Sequence, residues 1–461
     1  MLRSLIATSI AIAVASLLLS DHAYAKPPQP TTALDRYVAK PDDSFAWQEV
    51  SRRGDERGEE IVLELTSQTW RSPGEVDRAQ WKHWLILCVP NGATSDTALL
   101  FIRGGSNQGG QPAGAGELTR KVALATRSVV AELGMVPNQP LEIGGDGEDR
   151  FEDGLLARSW VEYFKTGDEE WIAQLPMAKS AVRAMDAVQA AMAGEESGPK
   201  INQFVVTGGS KRGWTTWLTA AVDDRVVAIA PLVIDMLNFK PSMRHHKAVY
   251  GTWSKALQDY EEQGIAERLD DSSIDPLRAI VDPFEYRTRY ARMPKCLINS
   301  AGDEFFLPDS SRYYFDQLTG EKHLCYVPNT GHSLKHSNAI ETLIAFHTSV
   351  VAGLSRPTIE WSQSPDGGWA VRCSASPSKA TLWRAVNPEA RDFRHPVIGD
   401  AYEPTILESD GGVYRVPSVE PPEGFAATFA TFEFNIGAAT PWRISTPVWV
   451  TPDVEPFAAG N

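Results

Sequence analysis

The chain has 461 residues, 43% of them apolar, and a formal net charge of −15. That length exceeds what one hydrophobic core serves, so two domains are expected, and the apolar share is large enough to fill both. The charge argues against nucleic acid or an anionic membrane as the main partner, since both polyanions repel it.

The first element is a leader. Arg3 gives a positive start, Leu5 to Leu19 form an apolar run, and Ala23-Tyr24-Ala25 is a small-x-small cleavage site before Lys26. Ser20, Asp21 and His22 end the run short of the roughly 20 residues a membrane span needs. Residues 1–25 are expected to be a signal peptide, leaving an exported protein, periplasmic or secreted, with no stable membrane insertion after cleavage. Pro27, Pro28 and Pro30 form a short linker.

From there the chain alternates strands and helices. Leu85–Val89, Ala98–Ile102, Val129–Leu133, Phe204–Val206, Val226–Ile234, Cys296–Ile298 and His323–Val327 read as strands, several apolar on both faces. Such strands belong to a parallel sheet covered by helices. Val182, Met185, Val188 and Met192 mark a crossover helix opened after Pro176. Residues 26–355 are therefore expected to form a doubly wound, mostly parallel α/β domain. Residues 144–176 carry Trp160, Tyr163, Phe164 and Trp171 beside the acids Asp146, Glu148, Asp149, Glu152 and Asp153. Residues 239–293 form a cap-like insertion holding Tyr250, Trp253, Tyr260, Tyr286 and Tyr290, which read chiefly as its core and secondarily as a surface for stacking on substrate. After Ser355-Arg356-Pro357 short strand pieces separated by Pro- and Gly-containing turns suggest an all-β, immunoglobulin-like sandwich over 357–451, folded around its own core with a modest interface. Cys88, Cys296, Cys325 and Cys373 show no paired C-x-x-C spacing, so neither a zinc ribbon nor a redox motif is supported, and they are left unpaired.

The chemistry concentrates at Thr207-Gly208-Gly209-Ser210-Lys211-Arg212-Gly213-Trp214, where a strand runs into a Gly-Gly-Ser turn and a helix follows at once. A nucleophile elbow needs that context, because it exposes the serine hydroxyl above the sheet and puts helix-terminal N–H groups beside it. The usual G-x-S-x-G pattern would place glycine at 212; here it stands at 213. A serine also needs a base and a group to orient it, in the chain order Ser, acid, His. Asp303 follows the strand at Cys296–Ile298 and His332 follows His323–Val327, so Ser210, Asp303 and His332 fall at one sheet edge. Glu304 and Asp235 are rival acids, while His336 and His323 are less suited as base than His332. The main-chain amide of Lys211 is the expected first oxyanion donor, and that of Gly105 or Ser106, in the turn after Ala98–Ile102, the second. Arg212 could bind a substrate carboxylate or pair with Asp235 or Asp303. His245-His246 reads as solvated or capping. No metal site or cofactor motif is found, since Gly104-Gly105 with Gly109-Gly110 lacks phosphate-loop spacing.

These residues resemble the PhoPQ-activated pathogenicity-related proteins, a family that includes autocrine proliferation repressor-like proteins. The resemblance spans almost the whole mature chain. It rests on Leu99 to Gly105, Leu175-Pro176-Met177-Ala178-Lys179, Ala184-Met185-Asp186, Gly209 to Trp217, Val233 to Asn238, Gly302 to Phe306 and Arg391-Asp392-Phe393-Arg394. The Ser-Lys-Arg-Gly-Trp run is specific to that family and accounts for Arg212. The resemblance implies an α/β-hydrolase domain with a C-terminal sandwich. The leading expectation is an exported serine hydrolase cleaving a small-molecule carboxylic ester through an acyl-enzyme. A serine peptidase using the same triad and a non-catalytic secreted signalling or binding protein are the alternatives.

Overall fold

The computed structural model describes residues 31–458 except 196, 197 and 366, so the expected signal peptide and proline linker lie outside the described residues. Strands β1 (Ala46–Asp55), β2 (Gly58–Thr69), β3 (Gln80–Pro90), β4 (Thr97–Ile102), β5 (Val130–Leu133), β6 (Gln203–Gly209), β7 (Val226–Leu232), β8 (Lys295–Ser300) and β9 (Lys322–Val327) make one sheet. Its order is β1-β2-β3-β5-β4-β6-β7-β8-β9. The first three strands and the β3–β5 pair are antiparallel, and everything from β5 to β9 is parallel. This is the α/β-hydrolase fold. β4, β5 and β8 are buried along their whole length, as strands covered by helices on both faces must be. The crossover helix Gln174–Ala193 carries Pro176 in its first turn, where a missing N–H costs no hydrogen bond.

The hairpin of β1 and β2 was not expected. β1 is largely exposed and rich in charged residues, so it shows no apolar alternation. Its register comes from pairing with β2, whose buried residues do belong to the core.

Parallel register fixes the functional edge. Gly209 pairs with Leu232, Leu232 with Ile298 and Ile298 with Cys325, so β6, β7, β8 and β9 end together. The insertion between β7 and β8 is helical, with Phe239–Tyr250 and Ile274–Val281 as its longest α-helices and the 3-10 segment Pro283–Arg292 as its last element. Tyr286 and Tyr290 are 2% and 0% exposed, and Tyr290 meets Trp217 edge-on at 4.8 Å. These two aromatics serve the body of the domain rather than the roof of the site.

Beyond β9 and the helix Ala339–Val351 lie two antiparallel sheets. One orders the strands Ile359–Gln363, Trp369–Cys373, Val413–Val416 and Ser409–Asp410; the other orders Glu403–Ile406, Lys379–Asn387, Phe425–Phe434 and Trp442–Ser445, with Trp449–Thr451 also on Phe425–Phe434. Trp369 stacks on Trp449 at 4.3 Å, and Tyr414 meets Phe432 edge-on at 5.2 Å, so the sheets face each other.

Their contact with the hydrolase part is larger than expected. Trp442 stacks on Phe346 at 5.9 Å and meets His323 edge-on at 5.0 Å. The Tyr326 N–H donates to Ser445 Oγ at 2.8 Å, and Phe429 packs on Tyr326 and Tyr402. Phe346, Trp442 and Ile444 sit in one buried cluster, and Tyr326, Tyr402 and Phe429 in another. The expectation of a separate core and a modest interface is therefore corrected. β9 is the last strand of the main sheet, and the C-terminal strands cover the outer edge it would otherwise expose.

A buried charge cluster makes a second tie. Arg391 donates to Asp309 at 2.8 Å, and His245 joins Asp309 at 3.1 Å and Glu455 at 2.6 Å. His245, Asp309 and Arg391 are each no more than 3% exposed. Burial alone would raise the Asp309 carboxyl, but Arg391 and His245 hold it far below the usual carboxylate range. His246 is also buried. Its Nε2 accepts from the Ser254 N–H at 3.1 Å, and burial pushes the imidazole down to about 3, so it is neutral. The reading of His245-His246 as solvated or capping residues is thus corrected: the pair is buried on the cap helix, where His245 ties it to Arg391 and Glu455 of the C-terminal part.

Candidate active site

β6 stops at Gly209 and the helix Lys211–Val222 begins at once, leaving Ser210 between them with φ 56° and ψ −124°. A serine pays for positive φ in steric strain, and a conformation of that kind is held only where the surroundings over-determine it. Here the Ser210 N–H donates to Leu232 O at 2.9 Å, anchoring the turn to β7. Glycine is needed on both sides. A Cβ on Gly208 would lie 2.7–2.8 Å from Arg212, and one on Gly213 would lie 2.9 Å from Leu232 O and 3.0 Å from Gly208 O. The close approach that G-x-S-x-G assigns to the second residue after serine falls one residue later here. Lys211 is the first helical residue, so its amide is among those that a helix leaves without an internal acceptor.

Asp303 and His332 come together across the ends of β8 and β9. His332 Nδ1 lies 2.9 and 2.8 Å from the two Asp303 carboxylate oxygens. Asp303, 3% exposed, also accepts the N–H groups of Phe305 at 2.8 Å and Phe306 at 3.3 Å, which fix its plane. With Nδ1 donating to a carboxylate, Nε2 is the nitrogen able to accept a proton. Nε2 is buried and has no hydrogen-bond partner among the described residues. Phe305 lies against the imidazole at 4.3 Å.

The rival acids hold other posts. Glu304 accepts the backbone N–H of His332 at 2.5 Å and lies so close to Gly331 that a Cβ there would meet its carboxylate at 2.6 Å. It shapes the histidine loop. Asp235 is buried between two tyrosines: Tyr326 donates to it at 2.5 Å, and Tyr314 donates to its other oxygen. Burial pushes its carboxyl up to about 7 in spite of both hydroxyls. The native state thus keeps this proton up to about pH 7, while the unfolded chain releases it near 3.8. Its contribution to stability is intact below the unfolded value and is lost as pH rises between the two. Asp235→Asn, which cannot ionise, should therefore gain stability relative to the native protein on going from about pH 5 to about pH 8. Urea midpoints at the two pH values check this; an unchanged difference would contradict it.

Arg212 is corrected as a substrate-binding residue. It is 8% exposed and engaged on all sides, with both terminal nitrogens 2.6 Å from the Glu152 carboxylate oxygens and Nε donating to Val136 O at 2.5 Å. Its partner is Glu152, not Asp235 or Asp303. Burial would raise the Glu152 carboxyl, but Arg212 and Lys211 bring it down to about 2. A Cβ on Gly104 would collide with the guanidinium, so the turn carrying Gly105 and Ser106 rests directly on the elbow helix through Arg212. Gly105 itself has φ 128°, a region that glycine alone adopts easily.

Sequence reasoning missed Asp153. Its Oδ2 accepts from Lys211 Nζ at 2.6 Å and its Oδ1 from the Tyr260 hydroxyl at 3.0 Å, which joins the elbow to the cap. The acidic run was visible, but nothing in its spacing pointed to residues 58 and 107 positions away. Beside Ser210 lies a cavity of about 100 Å³ whose walls come from the elbow helix, the 144–176 stretch and the cap. Among the described residues the four cysteines are free, no cluster of His, Cys, Asp and Glu is placed to hold a metal ion, and no helix is long and apolar enough to cross a membrane.

A profile of the PhoPQ-activated pathogenicity-related protein family matches residues 34–394. Autocrine proliferation repressor protein A of Dictyostelium discoideum is 38% identical over 459 residues, covering 93% of this chain and 92% of that protein. Among solved structures, acetyl xylan esterase 1 from a Thermoanaerobacterium species is similar at TM-score 0.45 and 15% identity, over 69% of this chain and 92% of that one. An acetyl xylan esterase from a Paenibacillus species is similar at TM-score 0.46 and 14% identity, over 71% and 97%. The strand order, not these distant likenesses, carries the assignment of the fold.

Proposed function

This chain belongs to the PhoPQ-activated pathogenicity-related protein family, and we propose that it is an exported serine hydrolase that cleaves a carboxylic ester through Ser210, His332 and Asp303. One observation carries the reading. His332 is clamped by Asp303 through Nδ1, while its buried Nε2 has no partner among the described residues, at the sheet edge that also bears the strained Ser210 turn.

In this reading Nε2 takes the Ser210 hydroxyl proton as Oγ attacks the ester carbonyl. The Asp303 carboxylate holds the tautomer and stabilises the imidazolium that forms. Negative charge on the former carbonyl oxygen is met by the Lys211 amide and by that of Gly105 or Ser106. The ester C–O bond then breaks, the alcohol leaves with the proton from Nε2, and an acyl group remains on Oγ. A water molecule, deprotonated by the same nitrogen, releases the acid and restores Ser210. No step calls for a metal or cofactor.

A panel pairing p-nitrophenyl esters with peptidyl p-nitroanilides tests the bond. The ester should be turned over with the higher kcat/KM, and equal or faster amide cleavage would move the reading to a peptidase. Export is tested at the N-terminus, because the Ala23-Tyr24-Ala25 site predicts that the exported protein begins at Lys26. Intact-mass measurement of protein recovered outside the cytoplasm should show that end, and retention of Met1 would refute cleavage.

A further inference from the structure

We infer that the substrate carries a short, uncharged, apolar acyl group, seated in the cavity between Ser210 and the cap. This rests on Ser210 being the nucleophile. Ser210 and Lys211 both line the cavity, which puts it within reach of the acyl substituent on the carbon bonded to Oγ.

Three features set the chemistry. The walls are apolar, with Trp160 and Trp214 on the body side, Phe305 beside the histidine, and Phe239, Met243 and Leu269 from the cap. The charged side chains that reach the cavity, Lys211 and Asp153, are paired at 2.6 Å, and the second oxygen of Asp153 is taken by the Tyr260 hydroxyl at 3.0 Å. A substrate carboxylate or ammonium entering here would find no free counter-charge, and an unpaired ion is expelled from an apolar site. The third feature is size. A cavity lined by Leu, Ile and Phe holds benzene at roughly 150 Å³, and this one measures about 100 Å³. That suits an acyl chain of a few carbons and not a fatty chain. The cap sets the limit, through Met243 and Leu269.

The test uses the full mature protein with p-nitrophenyl acetate, butyrate, octanoate and hemisuccinate, alongside a fluorophosphonate probe for Ser210. We expect kcat/KM for acetate or butyrate to exceed that for octanoate and for hemisuccinate by at least roughly tenfold, the scale on which an apolar pocket rejects misfitting groups. Leu269→Ala and the half-buried Met243→Ala should each raise octanoate relative to butyrate. The second variant serves if the first does not fold. Protein that labels at Ser210 yet turns over none of these esters, prefers octanoate or hemisuccinate, or keeps its chain-length ratio in every folded variant overturns this inference and leaves the serine hydrolase reading standing. Absence of both labelling and turnover removes that reading, and this inference with it.

Discussion

Ser210→Ala is expected to lower turnover of any ester the native protein hydrolyses by roughly 10⁴- to 10⁶-fold, with little change in stability. The substitution deletes one oxygen from a half-buried side chain and leaves the Ser210 N–H bond to Leu232 O in place. His332→Ala should lose about as much, and the double variant should be hardly worse than either single one, because groups that act as a unit are strongly non-additive. Asp303→Asn should cost somewhat less, since it disturbs the tautomer without removing the ring. Asp235→Asn and Glu304→Gln are the controls. Asp235 is bound to two tyrosines and Glu304 to the His332 backbone, so each should keep most of the rate provided the protein folds. Steady-state kinetics with a thermal melt for each variant check the set. If Asp235→Asn proved more damaging than Asp303→Asn with both folded, the acid would belong to β7 instead of β8.

A chain ended after Ser355 is expected to be recovered as aggregate, with no folded hydrolase core. Truncation there strips Trp442 from Phe346 and His323, Phe429 from Tyr326, and the Ser445 hydroxyl from the Tyr326 N–H. It also leaves Asp309 buried without Arg391. Losing one large buried aromatic contact costs about 3–5 kcal/mol, and Asp309, left with His245 and Arg312, loses its closest cationic partner. The loss of two such aromatics, Trp442 and Phe429, is already of the size of the net stability of an ordinary domain, roughly 5–15 kcal/mol. Expression of residues 26–355 followed by circular dichroism and urea unfolding measures this directly. A soluble product with a cooperative transition would show that the hydrolase part stands alone.

The strands of the parallel sheet were legible because burial on both faces writes itself as continuous apolar runs, as in Leu99-Leu100-Phe101-Ile102. The candidate triad was legible for a related reason: strand ends are marked by the residues that follow them, and parallel order brings three such ends to one edge. β1 was not legible, because a strand held by hydrogen bonds to β2 with solvent on both faces has no periodic signature. The shared C-terminal core was hidden differently. Apolar Trp442 and Ile444 announce a buried face but not what buries it, and the partners Phe346 and Tyr326 lie far away in the chain. Ion pairs such as Arg212–Glu152 and Arg391–Asp309 join residues 60 and 82 positions apart, so no local pattern selects them from the other charges. Gly213 was readable as a departure from G-x-S-x-G. Only the distances show that it still answers to a close approach of β7.

Fluorophosphonate labelling of the purified protein, with the modified residue located by mass spectrometry, tests the serine hydrolase account most directly. The probe needs an activated serine and no knowledge of the natural substrate. The account predicts one stoichiometric adduct on Ser210, absent from Ser210→Ala and strongly slowed in His332→Ala, because the attacking oxygen needs the imidazole to take its proton. A folded protein that takes up no probe, or an adduct that persists in Ser210→Ala, would contradict it.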